Sequence, residues 1–141
     1  MSQSDVINID NIENIIKRFY ADMLKDPIIG FIFTDVAKIH LESHLPIIVD
    51  FWADIVLEKQ LSDKKRYSGN ALHKHLQLNE QIPLKPGHFT RWLYLFNQAV
   101  NDLHTGANAE LMKTRAELVA KSISAAIVEG KKSDMNLTLP R

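Results

Sequence analysis

The stretch that decides the fold is YSGNALHKH, from Tyr67 to His75, because it ends in a histidine on the apolar side of a short helical segment. An α-helix turns by about 100° per residue, so the apolar residues of ALHKHLQL define an arc that contains His75 and leaves His73 near the opposite side. We therefore expect only His75 to point into the protein. A core histidine hydrogen-bonded to a carbonyl is one interpretation of this position, and a metal or cofactor ligand is the other.

Two strongly apolar runs flank this segment in sequence. They are HLPIIVDFW, from His44 to Trp52, and HFTRWLYLF, from His88 to Phe96. Apolar residues at steps of three and four predict that both runs are core helices that carry a few polar groups. A candidate ligand between two core helices indicates a cofactor pocket.

The composition limits the classes of protein to which such a pocket can belong. The chain has 141 residues, 45% of them hydrophobic and 24% charged, which is typical of one globular domain. Its 17 basic and 17 acidic residues cancel, so we expect no nucleic-acid partner. Cysteine is absent, which excludes disulfides and thiolate metal sites.

The acidic start MSQSDVINID does not resemble a secretory signal, and no apolar run reaches the roughly 20 residues of a membrane span. We expect a cytoplasmic protein without a membrane partner.

Helical periodicity predicts an all-α chain. The expected elements are a helix capped by Asp10 and stopped by Asp26-Pro27, a turn from Ile28 to Phe33, helices over Pro46 to Lys59 and over ALHKHLQL, a long helix from Pro86 to Leu103, and a last helix from Asn108 to Glu129. Pro46 disfavours a helix that begins before it, so His44 should lie at or just before a first turn. Leu61 to Gly69 should be a loop. With Gly130 as the final stop, we expect one domain over residues 1–130 and a loose tail over 131–141.

Two polar aromatic residues join His75 as candidates for a functional site. Tyr20 lies beside the buried stripe of the first helix, where its hydroxyl needs a partner if it is buried. Trp92 lies on a helix that is apolar over most of its circumference, and its indole nitrogen can only donate a hydrogen bond. For each residue alone, core packing is the alternative to a ligand-binding role.

Taken together and in order, these blocks resemble the truncated haemoglobins, and within them the group III branch. The resemblance is carried by FY at Phe19 and Tyr20, IF at Ile32 and Phe33, HLPIIVDFW, YSGNALHKH and HFTRWLYLF, which span residues 19 to 96 in the matching order. It implies a truncated globin fold, a shortened two-over-two helical sandwich around haem b.

The resemblance also implies roles for individual residues. His75 matches the proximal ligand of the haem iron, and Tyr20, Trp92 and His44 match the distal positions that hydrogen-bond the ligand or gate its entry. Further cofactor contacts are implied for Phe33, Ile48 and Tyr67, with Arg66 and Arg91 as candidate partners of the haem carboxylates.

The function that the resemblance implies is tight binding of dioxygen at a five-coordinate iron, with nitric oxide, carbon monoxide and cyanide as other ligands. Donors aimed at such a ligand slow its release, which suits nitric oxide dioxygenation or peroxide handling with an unknown reductase better than bulk oxygen transport. Whether the protein is an enzyme stays open at this point. Two alternatives stand beside this hypothesis: a cofactor-free helical interaction module, and a non-haem metal site in a helical bundle, formed by His40 and His44 with His73 or His75.

Overall fold

A computed structural model of the chain describes residues 3–36, 40–57 and 71–135. Regular structure in these ranges is helical throughout, as predicted. The elements are α1 (Ile9–Leu24), a π-helical turn (Ile32–Val36), α2 (Leu41–Val56), α3 (Ala71–Gln81), α4 (Pro86–Leu103) and α5 (Ala107–Met135). The whole predicted loop from Leu61 to Gly69, which contains Arg66 and Tyr67, lies outside the described residues. Among the described helices, none combines the length and the apolar composition that crossing a bilayer requires.

The first helix forms on the predicted apolar stripe but begins earlier than predicted. Its buried residues are Ile12, Ile15, Ile16, Phe19, Tyr20 and Met23. The N-cap is Asn8 and not Asp10, because the Asn8 side chain accepts a hydrogen bond from the Asn11 amide at 2.8 Å. The Asn11 side chain in turn accepts one from the Ile7 amide at 2.9 Å. Asp10 instead lies in the first turn, where its negative charge interacts favourably with the positive end of the helix dipole.

The second helix contradicts the predicted start at Pro46, because it begins at Leu41 and contains the proline. Proline lacks the amide that would bond to the carbonyl four residues earlier, at Glu42. Glu42 is exposed, so water can satisfy that carbonyl. His44 is therefore a helical residue, and its amide donates to the carbonyl of His40 at 3.0 Å.

The fourth helix has the predicted bounds, whereas the fifth does not end at Gly130. It continues to Met135, so the predicted stop is wrong and residues 131–135 are helical. A single glycine costs only about 1 kcal/mol in a helix interior, which is too little to end a long helix by itself. Residues 136–141 lie outside the described residues, and the domain boundary remains a prediction.

The beginning of α5 is fixed by the N-terminal segment. The Asp5 carboxylate accepts hydrogen bonds from the amides of Asn108 and Ala109, both at 2.9 Å. Gly106 precedes this cap with φ at +147°, and a Cβ there would overlap the Asp5 side chain. The position therefore requires glycine.

The helices form one layered core. α1 packs against α2 and α4, α4 packs against α5, and α2 and α3 also contact α5. This arrangement joins the apolar stripes of α1, α4 and α5 into one cluster of buried side chains. It also leaves α3 across from α4, with a space between them that contains the candidate site.

Candidate functional site

A cavity of about 540 Å³, part of it continuous with solvent, opens beside α3, α4 and α5. Its lining residues are Ile29, Ile32, Phe33, His75, Leu78, Leu84, His88, Phe89, Trp92, Val119, Ala120 and Ile123. Hydrogen-bonding side chains in this set are limited to two histidines and one tryptophan, and none of the described lining residues carries a carboxylate. Apolar walls with a few polar groups are typical of cofactor and small-ligand sites.

Helix α3 presents His75 to this cavity. The side chain is half-buried, and Leu78, almost one turn later, lines the same wall. The two residues share a helix face because they are three positions apart. The side chain of His73 is outside the described set, so the expected contrast between the two histidines stays a prediction on that side.

The segment after α1 forms a second wall of the cavity. Ile29 and Ile32 are buried. Phe33 lies in the π-helical turn, in which backbone hydrogen bonds join residues five apart instead of four. Gly30 allows this segment to pass close to the end of α1, since a Cβ there would lie 2.9 Å from the carbonyl oxygen of Leu24.

A cluster of aromatic rings adjoins the cavity at Trp92. We call Phe19, Tyr20, Trp52, Trp92 and Phe96 the aromatic cluster. Phe19 meets Tyr20, Trp92 and Phe96 edge to face, with ring centroids 5.4, 5.6 and 5.4 Å apart. Trp92 and Trp52 both stack on Phe96, at 5.6 and 4.9 Å. Trp92 therefore belongs both to the packed cluster and to the cavity wall.

His44 on α2 contacts this cluster through Tyr20. The two rings meet edge to face with centroids 5.6 Å apart. Burial is the main cause that lowers the pKa of His44, and the positive charge of Lys74 lowers it further. Both effects favour the neutral form of the His44 imidazole.

Tyr20 is a neutral hydrogen-bond donor in this setting. It is only 5% exposed, and burial raises the pKa of its phenol above the usual range. The hydroxyl therefore keeps its proton at all physiological pH values. Tyr20 and Trp92 both contact Phe19, and His44 contacts Tyr20, so three uncharged donors lie in or beside the aromatic cluster.

The structure thus divides the residues predicted for the site. His75, Phe33 and Trp92 line the cavity. Tyr20 and His44 do not line it. Their rings contact each other, and Phe19 contacts both Tyr20 and Trp92. Ile48, one turn after His44, is half-buried and packs against the core cluster. Tyr67 lies outside the described residues.

Arg91 has a protein partner. Its Nε and Nη2 donate to Oδ1 of Asp26 at 2.8 and 2.6 Å. Oδ2 of Asp26 accepts the amides of Ile28 and Ile29 at 3.0 and 3.1 Å. The hydrogen bond from Arg91 is the main reason that the pKa of Asp26 lies below its usual value. Arg91 thus fastens the turn after α1 to α4, and its pairing with a cofactor carboxylate stays a prediction.

His88 is a cavity residue that sequence reasoning did not select. Its Nδ1 accepts the amide of Lys85 at 3.0 Å, and its own amide donates to the Lys85 carbonyl at 2.9 Å. The signal that could have found it is Pro86, which marks the first helical turn and so puts His88 at the third position, where side chains reach back to the N-cap.

The alternative of a non-haem metal site depends on His40 and His44. His40 is exposed at the start of α2, while His44 is half-buried against Tyr20. In the described ranges, no group of three or more histidine, aspartate or glutamate side chains is placed to hold a metal ion.

The fold has a counterpart among solved structures. The chain is similar to the crystal structure of a group III truncated haemoglobin from Campylobacter jejuni, with a TM-score of 0.73 and 25% sequence identity. The match covers 89% of this chain and 94% of that one. No protein-family model and no curated protein matches the sequence. The similarity confirms the resemblance found in the motifs, and the architecture is the truncated globin fold.

Proposed function

We propose that this chain is a cytoplasmic haem b protein that binds dioxygen and other diatomic ligands with high affinity. The observation that supports this most directly is the position of His75, the α3 histidine in the wall of an otherwise mostly apolar cavity. The similarity to a truncated haemoglobin supports the same cofactor. The proposal assigns His75 as the proximal ligand and Phe33 as a contact of the haem face.

The residues of the cavity fit this group chemically. A neutral imidazole is the usual proximal ligand of haem in globins, and apolar and aromatic side chains suit the faces of a porphyrin. The cavity wall supplies both, and its described residues bring no carboxylate that would have to be buried beneath a hydrophobic ring. Haem held by His75 and Phe33 would supply an iron centre that can bind a diatomic ligand.

The protein's own contribution to ligand affinity comes from Tyr20, Trp92 and His44. A diatomic ligand that carries partial negative charge is stabilised by donors that need no rearrangement and no change of charge. Each hydrogen bond to a charged acceptor contributes about 1.5 to 3 kcal/mol. Two donors would therefore slow release by orders of magnitude, while His44 would gate entry and Ile48 would form the apolar wall beside it.

The proposal extends to turnover. Nitric oxide and dioxygen combine with one electron to give nitrate, and the electron would come from a reductase. Peroxide handling is the alternative reaction for the same pocket. Slow release of oxygen supports either reaction, because the bound ligand then persists long enough to react. Nitrate formed when nitric oxide is added to reduced protein in air-saturated buffer would be compared with nitrate formed without protein.

The role of His75 is tested by replacing it with glycine. His75→Gly should lose the five-coordinate ferrous spectrum of the wild type, and added imidazole should restore it because the free ligand enters the vacated space. His40→Ala is the matched control, since His40 is exposed at the start of α2 and should leave the spectrum unchanged. An unaltered spectrum in His75→Gly would exclude this residue as the ligand.

A further inference from the structure

His88 is a polar residue of the cavity wall to which the proposed function gives no role. It is half-buried, and its Nδ1 is occupied by the Lys85 amide. Because a neutral imidazole carries one proton, an acceptor at Nδ1 places that proton on Nε2. Among the described residues, the side-chain hydrogen bond of His88 involves Nδ1 alone. Nε2–H is thus the donor available to whatever fills the cavity.

The charges around the cavity favour an anionic partner for this donor. Lys85 precedes α4 and Lys74 precedes His75, and both lysines are exposed. Lys85 acts electrostatically on His88, so a positive charge lies beside this donor. Burial and Lys85 lower the pKa of His88, which keeps the imidazole neutral and its tautomer fixed. None of the described residues of the cavity wall carries a carboxylate, so an acidic group of an occupant would be the matching acceptor for this donor.

We propose that His88 donates Nε2–H to a propionate carboxylate of the haem and so orients the cofactor in the cavity, with Lys85 as the neighbouring positive charge. This inference rests on the proposed function. It gives His88 a positioning role, while Arg91 pairs with Asp26.

The chain offers a pair of substitutions that separates the two nitrogens. His88→Asn places an acceptor where Nδ1 was, so it keeps the bond to the Lys85 amide but removes the donor. His88→Gln places an amide donor near the position of Nε2. The probes are haem and haem dimethyl ester, whose carboxylates are blocked, and the measurement is the rate at which each leaves the protein for an excess of apomyoglobin.

We expect haem to leave His88→Asn roughly tenfold faster than the wild type, with a smaller change in His88→Gln. The dimethyl ester should leave all three proteins at the same rate. Equal acceleration of haem and ester in His88→Asn would mean that His88 only fills space, and equal rates in all cases would mean that it holds no carboxylate; either result overturns the inference while the haem protein stands. A folded wild type that gives no Soret band would overturn the proposed function and this inference with it.

Discussion

Phe96 and Phe89 are the same residue type on the same helix, seven positions apart, and they have different surroundings. Phe96 is 0% exposed and contacts Phe19, Trp52 and Trp92 in the aromatic cluster. Phe89 lies two turns earlier on the same stripe, is only half-buried and borders the cavity. The contrast shows that one end of α4 is completed by protein side chains, whereas the other end offers apolar surface to an occupant.

The largest expected effect is on the stability of the protein without haem. Phe96→Ala should lower the free energy of unfolding by about 3 to 5 kcal/mol, because it removes a fully enclosed ring. Phe89→Ala should cost clearly less, since that ring is still partly exposed. Urea unfolding followed by circular dichroism measures both. Equal losses would contradict the distinction between the packed and the open end of α4.

The next largest expected effect is on the rate of dioxygen release, which tests the role of Tyr20 in the aromatic cluster. Tyr20→Phe keeps the ring of the aromatic cluster and removes only the hydroxyl. Dioxygen should then dissociate roughly 10- to 100-fold faster, in line with one lost hydrogen bond to a charged acceptor. Stopped-flow replacement of dioxygen by carbon monoxide measures the rate. Tyr94→Phe is the control because Tyr94 is 54% exposed, and an unchanged rate in Tyr20→Phe would remove Tyr20 from the distal site.

The link between Asp26 and Arg91 should give a smaller, pH-dependent effect. The pKa of Asp26 is lower in the folded protein than its ordinary value of about 3.9. Its contribution to stability is therefore complete above that value and is lost as the pH falls towards the folded pKa. We expect Asp26→Asn to lower the melting temperature at pH 7 by about 5 °C and to weaken the loss of stability between pH 4 and 2. Identical acid-induced losses in the variant and the wild type would show that other carboxylates control this transition.

The fold was predictable wherever one apolar stripe dominated. The periodicity of α1 and α4 was sufficient to place both helices, and α4 has the predicted bounds. The start of α2 was predicted wrongly because local rules weigh Pro46 heavily, while the buried contacts of Val49 and Trp52 stabilise the whole helix. The cap of α1 needed attention to Asn8 and Asn11 together, whose side chains accept the amides of Asn11 and Ile7, where Asp10 accepts neither.

The site was predictable only in part, for a similar reason. The helical arc of α3 and the motif resemblance selected His75, which lines the cavity. Asp26 and Arg91 are 65 positions apart in sequence, and no local sequence pattern predicts a contact over that separation. His88 reaches the cavity because α4 begins at Pro86 beside α3, which is a consequence of tertiary packing.

The most direct test of the central claim is titration of the folded, haem-free chain with haemin, followed by absorption spectra of the ferric, ferrous and carbon monoxide forms. We predict saturation at one haem per chain, with a Soret band, and a five-coordinate ferrous form that binds carbon monoxide. A folded protein that leaves the spectrum of free haemin unchanged would contradict the assignment of this cavity to haem.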